Sequence, residues 1–185
     1  MGLGLLVLAI LAGLIIIWFV VTYNGFIGMR NRVRNAWSQI DVQLRRRYDL
    51  IPNLVETAKG YMKHEREVLE NVTRARQQGI DARTVKEQAA AENMITSALR
   101  QLFAVVENYP DLKANQNMLA VQEELTSTEN KISFARQFYN DNVMKYNTRI
   151  QRVPTKLVAD MFNFNEEDFF EIEEGEAREP VKVKF

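Results

Sequence analysis

The chain has 185 residues, 46 % of them hydrophobic, and its 24 basic and 24 acidic side chains cancel. That length holds one domain plus an anchor, and zero net charge speaks against nucleic acid, which calls for a basic excess. The absence of cysteine excludes disulfides, thiolate chemistry and a lipoprotein anchor.

Residues 1–29 read as a membrane anchor and its exit. From Leu3 to Val21 the chain is apolar apart from Gly4 and Gly13, and no charge appears before Arg30. Nineteen such residues in a helix span roughly 28 Å, close to the hydrocarbon thickness of a bilayer. Trp18, Phe19 and Tyr23 stand at the C-terminal end, where an aromatic belt belongs. The run is too long for the core of a cleaved signal peptide, and Val21–Gly25 offers no small-x-small cleavage site. Position 6 is Leu rather than Ser or Thr, which argues against myristoylation. Charge is unevenly placed further on. Between Arg30 and Asp49 six arginines face two aspartates, a net of +4, whereas residues 166–179 carry eight acids against Arg178, a net of −7. By the positive-inside rule Arg30, Arg32 and Arg34 place the following domain in the cytoplasm, with the N-terminus outside. The same side chains suit contact with anionic headgroups.

Residues 30–153 read as a long-helix bundle. Val33, Trp37, Ile40, Leu44, Ile51, Val55, Ala58, Met62, Leu69 and Val72 recur at 3- and 4-residue steps, as one stripe of an amphipathic helix does. This predicts one helix over about 29–78, ended by Gly79 as a C-cap, with Asp81 capping the next. A second helix over 82–109 carries Val85, Ala89, Ile95, Leu99, Leu102 and Val106, and Pro110 ends it. A third, over 112–152, carries Met118, Val121, Leu125, Thr128, Ile132, Ala135, Tyr139, Asn142, Tyr146 and Ile150. Short connections make sequential helices antiparallel neighbours. Pro52 either kinks the first helix or starts a new one.

If the first helix is continuous, its neighbour covers it only back to about residue 50. The stripe Val33, Trp37, Ile40, Leu44 is then bare and calls for a second copy of the chain. A short helix follows over 154–165. The tail, 166–185, reads either as a disordered acidic segment or as a β-hairpin, because Phe170–Glu173 and Val181–Phe185 alternate with complementary charges. In the hairpin reading Ile172, Val181 and Val183 share an apolar face that a neighbouring protomer covers. The predicted class is therefore all-α: one transmembrane helix, a long antiparallel helical bundle, and an option of a terminal hairpin.

The stretch from Trp37 to Val55 (Trp-Ser-Gln-Ile-Asp-Val-Gln-Leu-Arg-Arg-Arg-Tyr-Asp-Leu-Ile-Pro-Asn-Leu-Val) closely resembles the LemA family of bacterial membrane proteins. So do Tyr109–Asn115, Glu123–Asn130 and Ala135–Asn140. The resemblance covers nearly all of the chain past the anchor. It implies a membrane helix followed by a helical bundle, with no established activity, and an association of some members with forming magnetosomes.

The residues themselves yield no catalytic constellation. His64 is the only histidine, so HExxH is excluded, and Tyr61 stands where the Glu-x-x-His of di-iron bundles needs a glutamate. Isolated glycines form no phosphate cradle, and Thr128 with Lys131 lacks an oxyanion hole. No cofactor and no enzymatic activity are expected. The polar seam of the third helix is more informative. Thr128 and Asn142 sit in it, flanked by Glu123, Glu129, Asn130, Arg136 and Asn140, and a buried polar group left unpaired costs about 1–3 kcal/mol. Arg45, Arg46, Asn53 and Glu56 of the first helix are the expected partners, in a network that fixes helix register rather than a binding groove. The reading that follows is a self-associating, membrane-anchored scaffold that organises or shapes membrane. Its alternative is an adaptor or regulator of another membrane protein such as an envelope protease. The expected partners are the bilayer, a second copy of the chain or another membrane protein.

Overall fold

The computed structural model describes residues 2–171, and every regular element among them is helical. In chain order these are α1 (Gly2–Lys59), α2 (Arg66–Asp81), α3 (Val85–Val106), α4 (Pro110–Lys113), α5 (Gln116–Gln151) and α6 (Thr155–Met161). The chain forms two compact units interleaved in sequence. One comprises residues 2–41 with Phe134–Asp168, the other Val42–Ser133 with 169–171.

In the first unit the beginning of α1 stands clear of other protein. Leu3, Leu8, Ile10, Leu14 and Ile17 are all exposed, and this helix is long and apolar enough to cross a membrane. Cover begins at Thr22 and continues through Phe26, Val33, Ala36 and Ile40. It comes from α5, whose Tyr139, Val143, Tyr146 and Ile150 are buried at 4-3-4 spacing. Trp37 meets Tyr139 edge-on at 5.4 Å and Phe26 meets Tyr146 at 6.4 Å. Partner numbers fall on α5 as they rise on α1, so within this unit the two segments run in opposite directions.

This corrects the expectation of a bare stripe. Val33, Ile40 and Leu44 are 3 %, 0 % and 2 % exposed, and Trp37 is half-buried against Tyr139. The expectation rested on helices that follow one another in sequence. In the first unit the cover is supplied by α5, about 100 residues away in the chain, so the stripe offers no free surface to a second copy.

The second unit buries Ile51, Leu54 and Ala58 of α1, Leu69 and Val72 of α2, Ile95 and Leu102 of α3, and Met118, Leu125 and Ile132 of α5. α2 and α3 pack on each other. The predicted first helix over 29–78 is in fact two, parted at 60–65. The run Lys63-His64-Glu65-Arg66-Glu67 adds no apolar side chain to the seam, and nothing there repays continuing the helix across it. Instead the amides of Tyr61 and Met62 close a turn on the Ala58 carbonyl, and the Met62 side chain is buried.

α1 runs unbroken through Pro52. A proline has no N–H to give the carbonyl four residues back, which leaves that of Tyr48 without its helical donor. Arg76 of α2 supplies the replacement, its Nε donating to the Tyr48 oxygen at 2.7 Å.

Two expected caps also move. The cap of α3 is Thr84, not Asp81: Thr84 Oγ1 accepts from the Glu87 amide while the Glu87 carboxylate accepts from the Thr84 amide, a capping box. Those amide bonds, with that of Arg83 first, hold the Glu87 carboxyl below its usual range. Gly79 lies inside α2 rather than ending it. A Cβ there would sit 2.6 Å from the Tyr48 hydroxyl, so glycine is required by close approach and not by a cap.

At the other end, Thr155 Oγ1 donates to the Arg149 and Arg152 carbonyls as α5 gives way to α6. α6 closes in a Schellman motif: Asn163 takes a left-handed φ of 54° and the Phe164 amide donates to the Ala159 carbonyl at 2.9 Å. Residues 170 and 171, which belong to the first predicted strand, carry no strand, and the structure lends the hairpin no support. Ile172, Val181 and Val183 lie outside the described residues.

Candidate functional site

The most concentrated polar chemistry lies inside the second unit, where α1 presents Arg47 and Tyr48 and α3 presents Gln88, Glu92 and Thr96. Arg47 is 3 % exposed and Glu92 is 0 % exposed. Arg47 reaches Glu92 Oε2 at 2.9 Å and Glu129 Oε2 of α5 at 2.9 Å, and donates to Thr96 Oγ1 at 3.1 Å. The Tyr48 hydroxyl donates to Glu92 Oε1 and accepts from Gln88 Nε2 at 2.6 Å. Gln88 Nε2 also lies 3.3 Å from the Gly79 carbonyl. One buried carboxylate is thus held by a guanidinium on one oxygen and a phenol on the other, with contributions from three helices and the backbone of a fourth.

Burial dominates the electrostatics. It pushes the Glu92 carboxyl above its ordinary value despite Arg47 and the Tyr48 hydrogen bond, with the Glu129 charge adding to the rise. Burial, then the Glu92 charge, pushes the Tyr48 phenol up as well. A raised carboxyl pKa has a defined sign in stability. Between the unfolded and folded values the folded chain holds more protons, so the contribution is full below the unfolded value, about 4.3, and is lost as pH rises through the folded one. The melting temperature of the wild type relative to Glu92→Gln is expected to fall as pH rises above about 4, through the raised range of the folded carboxyl. A difference that stays flat or rises over that interval contradicts this account of Glu92.

The expected network coincides with this cluster only in part. Glu129 belongs to it, and Thr128 is buried beside it in the sequence with its hydroxyl unbonded. Arg46 pairs instead with Glu124, both partly exposed. Asn53, Glu56, Glu123 and Asn130 are exposed, and Glu56 forms a surface pair with Lys59. Arg45, Arg136 and Asn140 each hold a contact. Asn142 donates to the Phe138 carbonyl one turn back, not across the seam. Arg47, Tyr48, Gln88 and Glu92 were missed. The available signal was spacing: Arg47 falls three after Leu44 and four before Ile51, in the buried stripe itself.

Each Glu92 oxygen is engaged and Arg47 serves Glu92, Glu129 and Thr96, so the buried members of the cluster are paired with one another, while Glu129 is partly exposed. His64 is exposed in the turn before α2, and among the described residues no group of three or more potential ligands could hold a metal ion.

The first unit carries a second concentration, an aromatic collar where α1 acquires cover. Phe162 meets Phe19 at 5.7 Å and Tyr23 at 4.7 Å, while Phe164 stacks on Phe26 at 4.9 Å. Arg30 lies over the Phe164 ring at 5.3 Å and Arg149 over Phe26 at 5.7 Å. Arg30 is therefore partly withdrawn from solvent, whereas Arg32 and Arg34 are exposed. Beyond the collar Tyr139 donates to the Asp168 carbonyl at 2.9 Å, and Asn147 donates to the carbonyl of Glu167 and accepts from its amide. Burial, then the charges of Glu167 and Asp168, pushes the Tyr139 phenol up to about 12.

The chain is similar to proteins named MamQ and LemA, which are not enzyme names. Two magnetosome proteins, MamQ 1 and MamQ 2 of Paramagnetospirillum magneticum, are each 23 % identical over 194 residues, covering 89 % of this chain and 71 % of their own. Protein LemA of Metamycoplasma hominis is 28 % identical over 147 residues, covering 76 % of this chain and 66 % of its own. A sequence model of the LemA family matches residues 36–185. That match takes in the Arg47–Glu92 cluster and α6 and runs over well more than half of the length, so the chain belongs to the LemA family.

Proposed function

We propose that this chain is a membrane-anchored, self-associating scaffold that organises or shapes the bacterial membrane, with its helical domain in the cytoplasm. The observation that carries the reading is the pairing of an uncovered apolar helix with a domain whose buried polar cluster, Arg47 with Glu92 and Tyr48, is engaged in holding helices together. Such a domain offers rigidity and surface rather than a reaction. Arg32 and Arg34, exposed shortly after the span, support the cytoplasmic placement. The names of the MamQ relatives, as magnetosome proteins, agree with a role at membranes.

Self-association needs a surface other than Val33, Ile40 and Leu44, which are internal. Phe134 and Phe138 of α5 supply one: four residues apart, they share a helix face and are 74 % and 51 % exposed. The full chain extracted in mild detergent should run as an oligomer by light scattering at about 10 μM, within the range in which specific complexes form. Phe134→Asp with Phe138→Asp should shift it to monomer with helicity intact. A wild type that is monomeric under those conditions refutes self-association and leaves a non-self partner, as an adaptor would have.

A further inference from the structure

We propose that α6 and the turn before it form a second membrane contact, seated in the bilayer surface beside α1. This rests on the reading of α1 as a membrane span. Its level follows from the collar. The apolar run of α1 ends at Val21, and Val20 and Val21 are still exposed while Thr22 is buried. Phe162 packs on Phe19 and Tyr23, so the last residue before Asn163 touches the final turn of the span itself. If Leu3–Val21 fills the hydrocarbon, Phe162 sits at the boundary between acyl chains and headgroups.

The composition of the segment fits that level. Val158 and Ala159 of α6 are buried against protein, as a docked helix requires. Leu157 and Met161, four residues apart on another face, are 64 % and 65 % exposed, and Val153 in the preceding turn is exposed too. In water such residues on a seven-residue helix gain nothing from being apolar. Against acyl chains they are covered. Lys156 and Asp160 pair on the remaining face at 3.1 Å, and exposed Arg152 adds a cation where headgroups lie. The segment is thus built in three sectors, for protein, lipid and water. Contact at two places would hold the domain at a set tilt on the membrane instead of letting it swing from one helix.

The chain lacks cysteine, so single nitroxide labels can be placed at Leu157→Cys and Met161→Cys in the full chain, in vesicles of phosphatidylcholine and phosphatidylglycerol. Leu8→Cys in the span and exposed Glu123→Cys serve as references. Labels at 157 and 161 should favour oxygen over a water-soluble nickel relaxant several-fold more than the label at 123 does, in the direction of the label at 8. If 157 and 161 match 123 while 8 is lipid-exposed, α6 lies in water and the inference falls with the anchor intact. Shielding of 157 and 161 from both relaxants means protein covers them, which also overturns it. Nickel access at 8 overturns the anchor and this inference together.

Discussion

Arg47→Met is expected to destabilise the fold by about 3–5 kcal/mol, the loss typical when one partner of a buried ion pair is removed. The guanidinium it deletes serves Glu92, Glu129 and Thr96 at once. Methionine fills most of the volume, so the cost falls on the stranded carboxylate rather than on a cavity. At roughly 2–4 °C per kcal/mol for a chain of this size, the melting temperature in detergent should drop by roughly 10 °C. Arg47 is also the largest influence opposing the upward push of burial on Glu92. The variant should therefore lose stability more steeply than the wild type as pH rises. Adding Glu92→Gln should restore part of the loss, since the carboxylate left without Arg47 is then only that of Glu129, which is partly exposed. If the single variant melts with the wild type, the cluster contributes nothing to the fold and its meaning has to be sought elsewhere.

Ile40→Ala should cost about 2–5 kcal/mol, as truncation of a fully buried aliphatic side chain does. Ile40 is 0 % exposed, whereas Val42, two residues on, is 60 % exposed and its truncation should stay within about 0.5 kcal/mol. The pair decides what the stripe is for. An intrachain core predicts a drop in melting temperature that does not depend on protein concentration. An interface between copies predicts a drop that vanishes on dilution, because the dissociated chain has nothing left to lose at that position. The first outcome is expected. It also means that loss of assembly in a Trp37→Asp variant would report damage to the fold at the Tyr139 contact, not a lost interface.

Whatever could be read locally was legible in the sequence: the apolar helix before Arg30, the all-helical class, the buried 3- and 4-residue stripes, and family membership through the strings around Trp37–Val55. These depend on hydropathy and on helical period, which each segment carries by itself. Single-pass membrane association follows from that local information together with the family.

Tertiary structure decided the rest, because each remaining outcome turns on a residue distant in sequence. Pro52 stays inside α1 since Arg76 of α2 satisfies the carbonyl it frees. Gly79 sits within a helix since the Tyr48 hydroxyl occupies the place of its side chain. Val33 and Ile40 became core and Arg47 became a buried ion, since α5 and α3 come from far along the chain to cover the one and charge-match the other. The exposed apolar face of α6 took on meaning only when Phe162 was found against Phe19, at the end of the span. A stripe or a charge announces in sequence that it needs a partner; which partner meets it is settled by packing, where burial and pairing across helices outweigh the preferences of any single turn.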